Sequence, residues 1–94
     1  MDVDPRKLRV PGSRRTGADP LKLHRQMTQF GKSTKGMPPI EVSRGADGEF
    51  VINNGVTRAT RIAKLSPGTL VTIEVIDDLS IPVASFPSIG DLIP

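Results

Sequence analysis

Cysteine, tryptophan and tyrosine are all missing from this sequence, and each absence closes off a class of chemistry. Without cysteine there is no disulfide, no thiolate metal site and no thiol nucleophile, and cysteine usage gives no guide to redox compartment. With aromatics at 3%, the core has to be built from Val, Ile, Leu and three Phe. Such small branched side chains favour strands. No apolar run approaches the ~20 residues of a membrane span. Met1-Asp-Val-Asp4 is acidic where a secretory leader would begin basic, so the sequence predicts no membrane partner. Basic residues are absent after Ile76, where only Asp77, Asp78 and Asp91 carry charge.

What is present is a short, basic chain of 94 residues, enough for one domain with a modest core. The net charge of +3 is compatible with a polyanionic partner. Its distribution says more: residues 1–35 hold nine basic side chains against three acidic ones.

Lys7–Val10 alternates polar and apolar and is stopped by Pro11-Gly12, which predicts an edge strand. Asp19 and Pro20 open a helix as N-cap and first helical residue, with Leu23, Met27 and Phe30 on one face and Gly31 closing it. Ile40–Arg44 and Glu49–Asn53 flank Asp47-Gly48 as a β-hairpin. Phe50–Ile52, apolar at three consecutive positions, predicts a central strand. After Asn53-Asn54-Gly55 comes a second helix, Val56–Leu65, ended by Ser66-Pro67-Gly68. Leu70–Ile76 is the clearest strand. The Pro-rich tail 77–94 is expected to pack on the domain, with a helical turn at Ile89–Leu92, so residues about 6–76 form the core. The predicted fold class is α+β, a small mixed sheet of about four strands with two main helices.

The chemistry concentrates at the strand-to-helix turn. Gly55 lets the backbone turn tightly and leaves the first amides of the next helix free, and free amides with the helix dipole favour an anion. Asn53, Asn54, Thr57, Arg58 and Arg61 supply polar and cationic groups that match a phosphate. Arg14 and Arg15, in the loop 13–18, are candidates to clamp a polyanion such as nucleic acid. The competing interpretation is a capped helix beside solvated arginines.

The order of these elements resembles the ParB N-terminal domain, and more widely the ParB/sulfiredoxin superfamily. The segments that carry it are Leu8–Val10, the helix ending in Gly31, Pro39-Ile-Glu-Val42, Asp47–Ile52, Gly55-Val-Thr-Arg58, Ala63 and Val71–Ile76. Of ParB's Gly-Glu-Arg-Arg turn, the glycine and the final arginine are kept. Sulfiredoxin's Gly-Cys-His-Arg loses its cysteine and histidine to Val56 and Thr57, which excludes sulfinic-acid reduction. Only the phosphate-binding part of both motifs survives. Arg9–Gly17, Asp19–Leu21, Met37–Ile40 and Asn54–Arg61 also resemble C-terminal toxin domains of Rhs-type polymorphic toxins. That resemblance implies a secreted or injected effector acting in a target-cell cytoplasm on nucleic acid or a nucleotide, with a cognate immunity protein.

For catalysis the candidates are His24, Glu41 and Arg58. His24 is the only histidine. Glu41, Asp47, Glu49 and Glu74 could each act as general base if they face the Gly55 turn. No spacing among the acids resembles a metal motif, so no metal site is assigned, and the cofactor is left unknown. Two alternatives stay open: a non-catalytic nucleotide- or DNA-binding module, and an interaction domain whose arginines only solubilise it.

Overall fold

The computed structural model describes residues 1–93. In chain order its elements are β1 (Asp2–Val3), α1 (Pro20–Phe30), β2 (Ile40–Arg44), β3 (Phe50–Asn54), α2 (Val56–Leu65), β4 (Val71–Asp78) and the single turn α3 (Ile89–Leu92), with short 3-10 turns at Pro5–Lys7 and Gly12–Arg14. The four strands form one mixed sheet in the order β1-β4-β2-β3, so the domain is α+β with two principal helices.

The hairpin between β2 and β3 closes where the Asp-Gly pair predicts it. Gly45 N–H donates to Glu49 O at 2.8 Å and Gly48 N–H to Gly45 O at 3.0 Å. β3 then leads through α2 to β4, which lies parallel to β2 on the side away from β3. The crossover buries α2: Val56, Ala59, Ile62 and Ala63 fall at helical spacing and join Ile40, Val42, Ile52, Val71 and Ile73 in the core. α1 packs on α2 as an outer layer, and none of its residues is fully buried. Its start is capped as expected, with Asp19 Oδ1 accepting from the Leu21 amide at 2.9 Å.

Four parts of the chain depart from the sequence pattern. Lys7–Val10 is not a regular strand: Pro5 starts a 3-10 turn, and only Arg9 bridges, parallel to Val51 and antiparallel to Ser88. Pro5 and Pro11 bracket a segment too short for a ladder. It still covers the outer edge of β3, because Arg9 N–H donates to Phe50 O and Ile52 N–H to Arg9 O. β3 is thus the outer strand of the regular sheet and not the central strand its apolar run predicts, although Val51 and Ile52 are both buried. The opposite edge strand is β1, paired antiparallel with β4. β4 itself runs on to Asp78.

The C-terminal segment enters the core. Val83 and Ile89 are fully buried, Val10 N–H donates to Pro87 O, and Ile89 N–H donates to Leu8 O. The helical turn at Ile89–Leu92 is closed by a capping box between Ser88 and Asp91. Asp47 fastens the same segment to the hairpin, its Oδ2 accepting from the amides of Val83 and Ala84 at 3.1 and 2.9 Å. Burial alone would push the Asp47 carboxyl up, but the backbone amides bonded to it outweigh this and hold it below its ordinary value. No helix among the described residues is long and apolar enough to cross a membrane.

Candidate anion-binding site

β3 ends in an irregularity that aims the turn. Glu41 pairs with Asn54 and Val42 with Ile52, which leaves Asn53 as an extra residue of the kind that bends a strand and redirects its end. Asn53 is tied down by Ser43, whose Oγ accepts from its Nδ2 at 2.8 Å. Asn54 Nδ2 donates to Glu41 Oε1 at 3.2 Å. Gly55 follows with φ +117°, a conformation open to glycine and strained for other residues.

The first intrahelical bond of α2 runs from Ala59 N–H to Gly55 O, and no side chain caps the start. The opening amides of α2 therefore lie at a free helix N-terminus with the positive end of its dipole. Beside this helix start lies a cleft of ≈ 270 Å³ whose lining includes Asn54, Gly55 and Thr57 from this turn. Three cations complete it: Arg58 one turn into α2, Lys22 from the first turn of α1, and Arg14 from the loop that folds back over the turn. Arg58 lies close against the glycine: a Cβ placed on Gly55 would stand 3.0 Å from Nη2 and 2.9 Å from Ile40 Cδ1. The same Nη2 donates to Pro39 O at 3.1 Å, which fixes the guanidinium beside the cleft.

Among the described residues these cations have no carboxylate partners. The ion pairs among the described residues are Arg9–Glu49 and Arg44–Asp78, neither in the cleft. Like charges held together without counter-charge raise the local potential and favour an anion between them.

The other candidates take different places. Asn53 lines the continuation of the cleft beside Arg14, with Pro11 and Ser13, while Arg15 lines neither part. Glu41 reaches the cleft only through Asn54. His24 is exposed on α1 and does not line the cleft. Arg61 is outside the lining as well and acts as an internal strut: only 2% exposed, it donates through Nη1 to Gly31 O at 2.7 Å and Ser33 O at 2.8 Å, beneath the Phe30 ring. Burial pulls its pKa below the ordinary value, yet a guanidinium stays cationic throughout the physiological range. No group of three or more potential His, Cys, Asp or Glu ligands is gathered among the described residues.

Lys22 and Gln26 were not among the residues singled out from the sequence. A signal for them exists, since positions 22, 26 and 30 recur every four residues and share one stripe of α1. What the stripe faces is decided by how α1 packs on α2.

No family, no curated protein and no solved structure matches this chain.

Proposed function

We propose that this domain binds a phosphate-bearing ligand, a nucleotide or nucleic acid, at the Gly55 turn. The observation that carries the reading is the convergence of Arg14, Lys22 and Arg58, all without carboxylate partners among the described residues, on the uncapped N-terminus of α2. Backbone donors and dipole set a place for one anion, and the three side chains supply charge and directional donors around it. The resemblance to Rhs-type toxin domains extends this to an effector delivered into a target cell and neutralised there by an immunity protein. A second reading, a non-catalytic nucleotide- or DNA-binding module, draws support from the cleft's lining, which holds amides, a hydroxyl and cations but no carboxylate or imidazole.

Binding is tested by titrating nucleotides and short nucleic acids over a range of salt. Affinity should fall as salt rises, because phosphate neutralisation releases counterions, and Lys22→Glu should weaken it at every salt. Binding that ignores both salt and Lys22→Glu contradicts the reading. Expression in a bacterial host separates the two roles: an effector arrests growth and a binding module does not.

A further inference from the structure

The cleft at Gly55 does not end there. Gln26 and Arg58 wall it on the α1 side and also wall a second cleft, between the C-terminal half of α1 and the 33–38 loop, where Phe30, Lys35, Met37 and Arg61 stand. At the other end, past Arg14, it continues to Ser13 and Asn53. The three clefts adjoin through these shared walls, and Arg14, Lys22, Arg58 and Lys35 are distributed among them. Lys22 and Phe30 lie eight positions apart on α1, about 12 Å along its axis, more than a single phosphate spans.

The far end is built differently from the turn. Phe30 is 47% exposed, an unusual place for one of only three aromatic residues in the chain. The Arg61 guanidinium lies over the ring, 5.3 Å from its centroid, and holds it in place while much of the side chain remains open to this cleft. Of the four buried polar side-chain atoms that lack a partner among the described residues, three belong to this cleft: Gln26 Oε1, Arg58 Nε and Arg61 Nε. Buried polar groups are normally paired, so three unpaired ones at one cleft leave hydrogen-bonding capacity there that the fold itself does not use.

We infer that the adjoining clefts act as one groove that receives a single-stranded nucleic acid, its phosphate on the Gly55 turn and a neighbouring base stacked on Phe30, with Gln26 and Arg61 beside that base. This rests on the phosphate site proposed above and adds the ligand's form. A cationic track with an aromatic platform is the arrangement single strands use, because every base offers a π-face while a duplex keeps its bases stacked inside.

The chain has no Trp, so Phe30→Trp introduces one fluorophore at the platform. Three ligands are titrated: inorganic pyrophosphate, single-stranded DNA and RNA oligonucleotides, and the corresponding duplex. The oligonucleotides should bind more tightly than the duplex and quench the emission of the Phe30→Trp protein, whereas pyrophosphate should bind without quenching. Phe30→Ala should weaken oligonucleotide binding at least about fivefold, the low end of what one stacked base contributes, and leave pyrophosphate affinity unchanged. A melting curve for each variant confirms folding, and Phe30→Trp carries the test if Phe30→Ala does not fold. Pyrophosphate binding that depends on Arg58, with no quenching and no preference for single strands, overturns the groove and leaves the phosphate site standing. Absence of Arg58-dependent binding by any of the three ligands removes both.

Discussion

Replacing Gly55 by alanine tests the turn through two costs that can be worked separately. The first is conformational: at φ +117° an L side chain is strained, which costs about 1–3 kcal/mol wherever it occurs. The second is steric, because the added Cβ would meet Ile40 Cδ1 at 2.9 Å and Arg58 Nη2 at 3.0 Å. Arg58 can move aside by giving up its bond to Pro39 O, but Ile40 is fully buried and has to be displaced within the core. Displacement of that kind adds roughly 1 kcal/mol or more. Gly68 provides the control, with φ +90° and nothing within 4 Å of its added Cβ, so Gly68→Ala carries only the conformational cost. Thermal melts of both variants should show Gly55→Ala lower than Gly68→Ala by at least about 4 °C, the shift that 1 kcal/mol produces in a domain of this size. Equal melting temperatures would refute the claim that Gly55 is pressed between Ile40 and Arg58.

Arg61→Met keeps the aliphatic stem and deletes the strut; losing two charge-assisted bonds to carbonyls that water can partly reach should cost about 2–4 kcal/mol, read from a denaturant melt. Arg61→Lys should recover little of it, since one ammonium does not reproduce the guanidinium fork. Asp47 makes the attachment of residues 83–84 pH-dependent. Its folded pKa is depressed below 3.8, so its contribution is fully present above the unfolded value and is lost as pH falls through the folded one. Melts of wild type and Asp47→Asn should therefore differ near neutrality and converge as pH drops below about 4. Asp91, held below its ordinary value chiefly by its hydrogen bonds to Ser88, titrates in the same direction and persists in both proteins.

Local rules were enough for the helices, the hairpin and the turn. Asp19-Pro20, Asp47-Gly48 and Asn54-Gly55 each impose a backbone geometry on their neighbours alone, and the folded chain keeps all three. β1 was not legible, because two residues are too few to show a period. Its pairing with β4 is set by tertiary contact. Arg61 and Arg58 look alike in the sequence, three positions apart on one helix. Their different surroundings come from the 31–37 loop, which folds over Arg61 and leaves Arg58 beside the turn. Arg14 could be suspected from its loop, whereas Lys22 and Gln26 enter the site only once α1 lies on α2.

The central claim is that Arg58 serves a ligand at the Gly55 turn rather than the fold. Arg58 is partly buried, and its one hydrogen bond among the described residues is to Pro39 O at 3.1 Å, so removing it should change stability little. The direct measurement pairs a melting curve with the affinity of wild type and Arg58→Ala for inorganic pyrophosphate. The expected result is a melting temperature within a few degrees of wild type, with affinity reduced tenfold or more, as befits the loss of a charge-assisted donor pair. An Arg58→Ala protein that binds pyrophosphate as tightly as wild type would contradict the account and leave residues 53–61 an ordinary strand-to-helix connection.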